Sequence, residues 1–298
     1  MGKTRKPVKY VVVDAFTDCE FKGNPAAVCL LEEEREDEWL QSIAAEFNIS
    51  ETGFLIRIAA SDSPNTRFQL RWFTPVTEVE LCGHATLAAA HFCFTSKLTN
   101  GNTIEFSTLS GILSAKKVIE PKAQDSLGYE NSEIEKPFFV ELDFPAISLT
   151  DCNPNDASLV SKTLGGVSVI EIKKTAGDDL LAVLPSAKAV TDLQPQIENI
   201  KNCPGRGLII TAVAPSGSGF DFFSRFFCPK FGINEDPVCG SAHCALAAYW
   251  SKRLDKCELL AYAASPRSGV VKMHLDEQNN RVKLQGKAVS VMEGFVIV

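Results

Sequence analysis

The sequence predicts an α+β protein of two similar halves, each carrying many strands wrapped on one or two helices. Three observations carry that expectation. First, "ELCGHATLAAAHFCF" from Glu80 and "DPVCGSAHCALAAYW" from Asp236 each run Cys-Gly into an Ala-rich helical stretch, with Cys82 and Cys239 157 residues apart. Second, the strands ahead of those loops repeat at a separation of 154: "GFLIRI" at Gly53 against "GLIITAVAP" at Gly207, and Arg71-Trp72-Phe73-Thr74-Pro75 against Arg225-Phe226-Phe227-Cys228-Pro229. Third, "SGILSA" at Ser110 is echoed by "SGVVKM" at Ser268. A shared order of this length marks one unit built twice.

Each element follows from its local pattern. "YVVVDAF" over 10–16 is β-branched and apolar, which reads as a buried strand. Gly23-Asn24-Pro25 is turn chemistry, and 26–31 is the next strand. Over 36–47, Trp39, Leu40, Ile43, Ala44 and Phe47 fall on one helical face, and that helix stops near "NISE". The acidic run from Glu32 is a solvated lead into it. "TGFLIRI" and "TRFQLRWFTP" are strands, the second with Phe68, Leu70 and Trp72 alternating. "HATLAAAHFCF" is helical, and "NTIEFST" with "GILSAKKV" form a strand pair. The polar stretch over 121–136 reads as a long connection and the domain boundary, giving halves of 1–130 and 137–298 with a site in the cleft between them.

Composition narrows the function classes. A chain of 298 residues can bury two ordinary cores. No apolar run approaches the roughly 18 residues that span a bilayer, and "MGKTRKPVKY" has no apolar stretch of a secretory signal. Lys6 stands where a myristoylation signal has Ser or Thr. A formal charge of −7 argues against nucleic acid and anionic membrane as partners. Ten cysteines without a C-x-x-C pair read as mostly buried and reduced, in a cytoplasmic protein.

The repeated loops have a physical use. In each, a strand ends at a proline, Cys-Gly follows, and a helix begins. A helix start offers unpaired N–H groups and the positive end of the dipole, suited to a carboxylate or a developing enolate. Gly83 and Gly240 permit close backbone approach there. If the halves are related by a pseudo-twofold axis, the two helix starts grip a small anion from both sides. Residue by residue, plainer readings stand beside this one. Ser241 can be an N-cap, His84 a partly exposed capping residue, Asp236 a turn former beside Pro237, and Glu51 a solvated neighbour of a capping Ser50. Cys82, His84, Cys239, His243 and Cys244 are metal-ligand types, yet Cys-x-His and Cys-x3-His-Cys are not zinc spacings, and no metal is expected. P-loop, Rossmann, nucleophile-elbow and H-E-x-x-H patterns are absent from the sequence.

"DAFTDCEFKGNPAAVCLL", "SETGFL", "FTPVTEVELCGHATLAAA" and "NEDPVCGSAHCALAAYW" strongly resemble the PhzF-like (phenazine-biosynthesis-protein-like) family over essentially the whole chain. The resemblance implies the diaminopimelate-epimerase-like fold, two pseudosymmetric domains each with a barrel-like sheet around a central helix, and a homodimer. It implies a cofactor-independent isomerase of a small carboxylate-bearing metabolite. Glu51 would be the general acid/base, with His84, Asp236 and Ser241 positioning substrate and the Gly83 and Gly240 amides holding its oxygens. One departure stands out: the family's second motif has Thr where this chain has Cys239. With Cys82 this recreates the two-cysteine pattern of related epimerases and racemases, where the helix N-termini would lower the thiol pKa values. A two-cysteine epimerase and a non-catalytic binding protein are therefore the alternatives. Loops around Lys22, Thr74 and Arg267 are expected to shape the pocket.

Overall fold

The computed structural model describes residues 6–59, 63–119 and 137–297. The connection expected over 121–136 lies outside them, as do the first residues of the basic N-terminus. The first repeat runs β1 (Val8–Ala15), β2 (Asn24–Leu31), α1 (Asp37–Phe47), β3 (Glu51–Arg57), β4 (Thr66–Phe73), β5 (Glu78–Val79), α2 (Gly83–Thr95), β6 (Thr103–Thr108), β7 (Gly111–Ile119), β8 (Phe138–Pro145) and β9 (Leu149–Asp151). Then come α3 (Pro154–Thr163), β10 (Glu171–Thr175), β11 (Leu180–Val183), α4 (Ala187–Asp192), α5 (Ile197–Lys201), β12 (Leu208–Val213), β13 (Phe222–Cys228) and β14 (Ile233–Asp236). The chain ends with α6 (Gly240–Leu254), β15 (Glu258–Ala263), β16 (Gly269–Asp276), β17 (Arg281–Gly286) and β18 (Ala288–Val296).

The duplication is complete at the level of strand pairing. In the first repeat β2 runs parallel to β3, β3 antiparallel to β4, β4 parallel to β6, and β6, β7 and β8 follow antiparallel. In the second, β11 runs parallel to β12, β12 antiparallel to β13, β13 parallel to β15, and β15, β16 and β17 follow antiparallel. The two repeats join where β8 pairs antiparallel with β17, Leu142 opposite Leu284. Each repeat then sends its last strand to the other: β9 pairs with β10, and β18 with β1. The expected division into 1–130 and 137–298 differs from this. By pairing, β8 and β9 complete the first repeat, and the final strand of the second half lies on the first.

Both central helices are apolar nearly all round, the mark of a helix enclosed by sheet rather than lying on it. In α2 every residue from Gly83 to Phe94 is buried, and the alanines let strands close in on the backbone. Trp72, Phe68, Phe106, Leu142 and Leu284 fill one core that runs through both repeats. The α1 face is as expected, with Leu40, Ile43 and Ala44 packed on Cys29, Phe54 and Phe73, and α1 stops with Asn48 left-handed at its C-cap. Asn24 and Pro25 open β2 instead of forming only a turn. Over 137–202 the sequence reading assigned no elements, because strands such as "EIKKT" are short and polar and α4 and α5 have only six and five residues. Among the described residues no helix is long and apolar enough to cross a membrane. All ten cysteines are free thiols, seven of them buried.

Candidate active site

The two helix starts meet. A Cβ placed on Gly83 would sit 3.1 Å from the Gly240 Cα, and one on Gly240 would sit 3.1 Å from the Gly83 Cα. A side chain at either position would press on the opposite backbone, and glycine relieves that contact. The matching ion pairs Arg71–Glu78 (2.7 Å) and Arg225–Glu235 (2.7 Å) tie β5 to β4 and β14 to β13 just ahead of each Cys-Gly loop. A cavity of about 570 Å³ opens at this junction, and all eight residues proposed from the sequence line it: Glu51, Cys82, Gly83, His84, Asp236, Cys239, Gly240 and Ser241.

Glu51 is the first residue of β3 and only 7% exposed, and His84, in the first turn of α2, is 2% exposed. The solvated Glu51 and exposed capping His84 are thereby corrected: the sheet edge and the helix start enclose both. Glu51 Oε2 and His84 Nε2 lie 3.1 Å apart. Their alignment falls short of a hydrogen bond, so both buried atoms lack an aligned partner among the described residues. On the far side of the ring, Asn24 Nδ2 lies 3.0 Å from His84 Nδ1 and donates to Asp236 Oδ1 (2.7 Å) and the Val238 carbonyl (3.2 Å). Those two acceptors take the amide N–H groups, so Asn24 sits as a bridge between the imidazole edge of the first repeat and the Asp236 loop of the second. Burial opposes a charged His84, but the Cys82 sulfur and the Glu51 carboxylate outweigh it and hold the ring above the usual histidine value. Burial pushes the Asp236 carboxyl up to about 6, with His84 opposing and Glu51 adding to the shift.

The cysteines behave contrary to expectation. Burial, reinforced by Glu51 at Cys82 and by Asp236 at Cys239, raises both thiols above their ordinary pKa despite the helix starts beside them. Cys239, not Ser241, is the N-cap of α6, and it makes no side-chain cap. Ser241 Oγ lies 3.3 Å from Cys239 Sγ and accepts a 3.4 Å contact from Arg206 Nη2. Thr74 lines the cavity, whereas Arg267 is a clamp outside it, donating to the Gly23 and Lys22 carbonyls and to Asp14. Asn24 and Arg206 were missed in the sequence, the first read as a turn former and the second passed over in "NCPGRGL". Glu51, Cys82 and His84 bring three metal-ligand atoms within 4.8 Å of one another. Their layout suits a relay better than a chelate. Cys82 lies against Nδ1 at 3.6 Å and Glu51 against Nε2, on different edges of the ring, whereas an imidazole binds a given ion through one nitrogen.

The model of the PhzC-PhzF family, described as phenazine biosynthesis-like protein, matches residues 13–294. The chain belongs to this family. This PhzF-like chain is 40% identical over 288 residues to a protein of Halalkalibacterium halodurans named as an uncharacterized isomerase, covering 96% of this chain and 97% of the relative. A solved PhzF-family structure from Enterococcus faecalis matches with a TM-score of 0.81 at 36% identity, over 98% of this chain and 100% of that one. A hydroxyproline epimerase from Agrobacterium vitis shares the fold alone, with a TM-score of 0.61 at 11% identity over 100% of this chain and 94% of that one. The PhzF-like chain thus has the diaminopimelate-epimerase-like α+β fold and an isomerase-type activity.

Proposed function

We propose that this isomerase moves a proton between carbons of a small carboxylate-bearing metabolite, with Glu51 as the acid/base and no cofactor. The observation that carries the reading is the buried, unaligned pair of Glu51 Oε2 and His84 Nε2 at the cavity wall. A carboxylate and an imidazole enclosed 3.1 Å apart at a cavity wall set a proton acceptor and a polarising group within reach of one bound substrate. A substrate lying against both would accept from His84 Nε2–H and present its acidic C–H to Glu51. His84 and Asp236 act as polarising groups, held in line by Asn24, and the Gly83, Gly240 and Ser241 amides take developing negative charge on substrate oxygen. The raised pKa values of Cys82 and Cys239 disfavour the two-thiol alternative, which needs one thiolate at rest.

The test is incubation in heavy water with an extract of small organic acids, read by mass spectrometry. Wild type should introduce deuterium into one metabolite. Glu51→Gln should do so more slowly by a factor of about a hundred or more. Undiminished labelling by Glu51→Gln would remove the carboxylate from the chemistry.

A further inference from the structure

The two repeats have diverged at one informative place. At the spacing of 154, Glu51-Thr52-Gly53 of the first copy stands against Gly205-Arg206-Gly207 of the second. The first opens β3 and the second leads into the equivalent β12, and both reach the cavity, through Glu51 and Arg206. The first copy thus gives the cavity a carboxylate and the second a guanidinium, at adjacent positions of the repeat, since Arg206 stands against Thr52. We propose that Arg206 binds the carboxylate of the substrate, an assignment that rests on the cavity being where the carbon acid is held.

Charge selects this residue. Arg206 is the one lysine or arginine among the described residues lining the cavity, which also presents Glu51, Glu78, Glu80 and Asp236. Glu78 is already held by the Arg71 fork, so Arg206 supplies the cavity's guanidinium beside the helix starts and the His84 ring. The guanidinium is also set in place before any ligand arrives. Buried Asp179 accepts from Nε (2.9 Å) and Nη2 (2.5 Å), and the Arg206 backbone N–H donates to the Asp178 carbonyl (2.6 Å). Gly205, at φ +81°, permits that approach: a Cβ there would lie 2.5 Å from the same carbonyl. The Phe226 ring packs 5.8 Å beneath the guanidinium. No hydrogen bond within the described residues uses Nη1, while Nη2 reaches Ser241. A carboxylate bound by Nη1 and the Ser241 hydroxyl would share the cavity with Glu51 and His84. A side chain ordered in advance loses little freedom on binding, and a charge-assisted hydrogen bond discriminates strongly against a neutral isostere.

Calorimetry with paired probes tests this: benzoate against benzamide and butyrate against butyramide. Wild type should bind the carboxylates about tenfold or more tightly than the amides. Arg206→Gln should erase that preference while keeping its affinity for the amides, and Arg206→Lys should retain part of it. Glu51→Gln should keep the preference, so a failure of the proton-transfer reading leaves this result standing. Equal or undetectable binding of acids and amides by wild type overturns the assignment, as does a preference that survives in Arg206→Gln.

Discussion

Three buried side chains, Asn24, His84 and Asp236, turn an ordinary loop and helix start into a polarised site. Asn24 is wholly buried and spans the two repeats, so its amide fixes both an imidazole of the first and a carboxylate of the second. Asp236 has an ordinary value near 3.8 when exposed and about 6 when folded, chiefly through burial. The folded chain therefore holds that proton more tightly than the unfolded chain, and the stability linked to it is present below about 4 and lost as pH rises to about 6. In Asp236→Asn that loss disappears, so its Tm should gain on wild type between pH 4 and 6 in thermal melts. A constant difference across that range would contradict the assignment. At this scale the sequence was partly legible. Glu51, His84 and Asp236 were found through motif resemblance, but nothing local to "NISE" distinguishes a buried glutamate from a solvated one. Asn24 was hidden because Gly-Asn-Pro is turn chemistry whether or not its amide bridges two repeats. Arg206 could have been found by laying Gly-Arg-Gly against Glu-Thr-Gly.

The Cys-Gly loops are held by elements that the duplication kept in both copies. Arg225 and Glu235 have side chains 6% and 15% exposed, and Arg225 also donates to the Val190 and Leu193 carbonyls. Arg71 and Glu78 are both 23% exposed, and Arg71 reaches Asp37 of α1. Removing one partner of a buried pair strands the other charge, whereas a more exposed pair is screened by water. Arg225→Gln should cost about 3–5 kcal/mol in urea denaturation and Arg71→Gln about 1 kcal/mol or less. Equal losses would show that the two pairs are not distinguished by burial. The strands and helices of the repeated segments were readable because their periodicity is strong and occurs twice. Over 137–202, β9, β10, α4 and α5 were not, because they are too short or too polar to stand out from loop.

The whole molecule is one continuous sheet closed around two helices, with the last strand of each repeat delivered to the other. Neither half owns all of its strands, since β1 depends on β18 and β10 on β9. Calorimetric unfolding should therefore show a single cooperative transition, and two resolved transitions would contradict the strand exchange. The two-half plan was legible in the repeat. The exchange was not, because β9 and β18 carry no shared motif and pairing partners leave no trace in a single sequence. The proposed site lies at the junction this plan creates, where two glycines touch and a cavity gathers a carboxylate, an imidazole and a guanidinium. The most direct measurement of the central claim sets Glu51→Gln beside a Cys82→Ala/Cys239→Ala double variant, following solvent deuterium entering the metabolite that wild type labels. The account predicts that labelling collapses in Glu51→Gln and persists in the cysteine variant. Labelling that persists in Glu51→Gln and collapses without the cysteines would contradict it and assign the chemistry to a thiol pair.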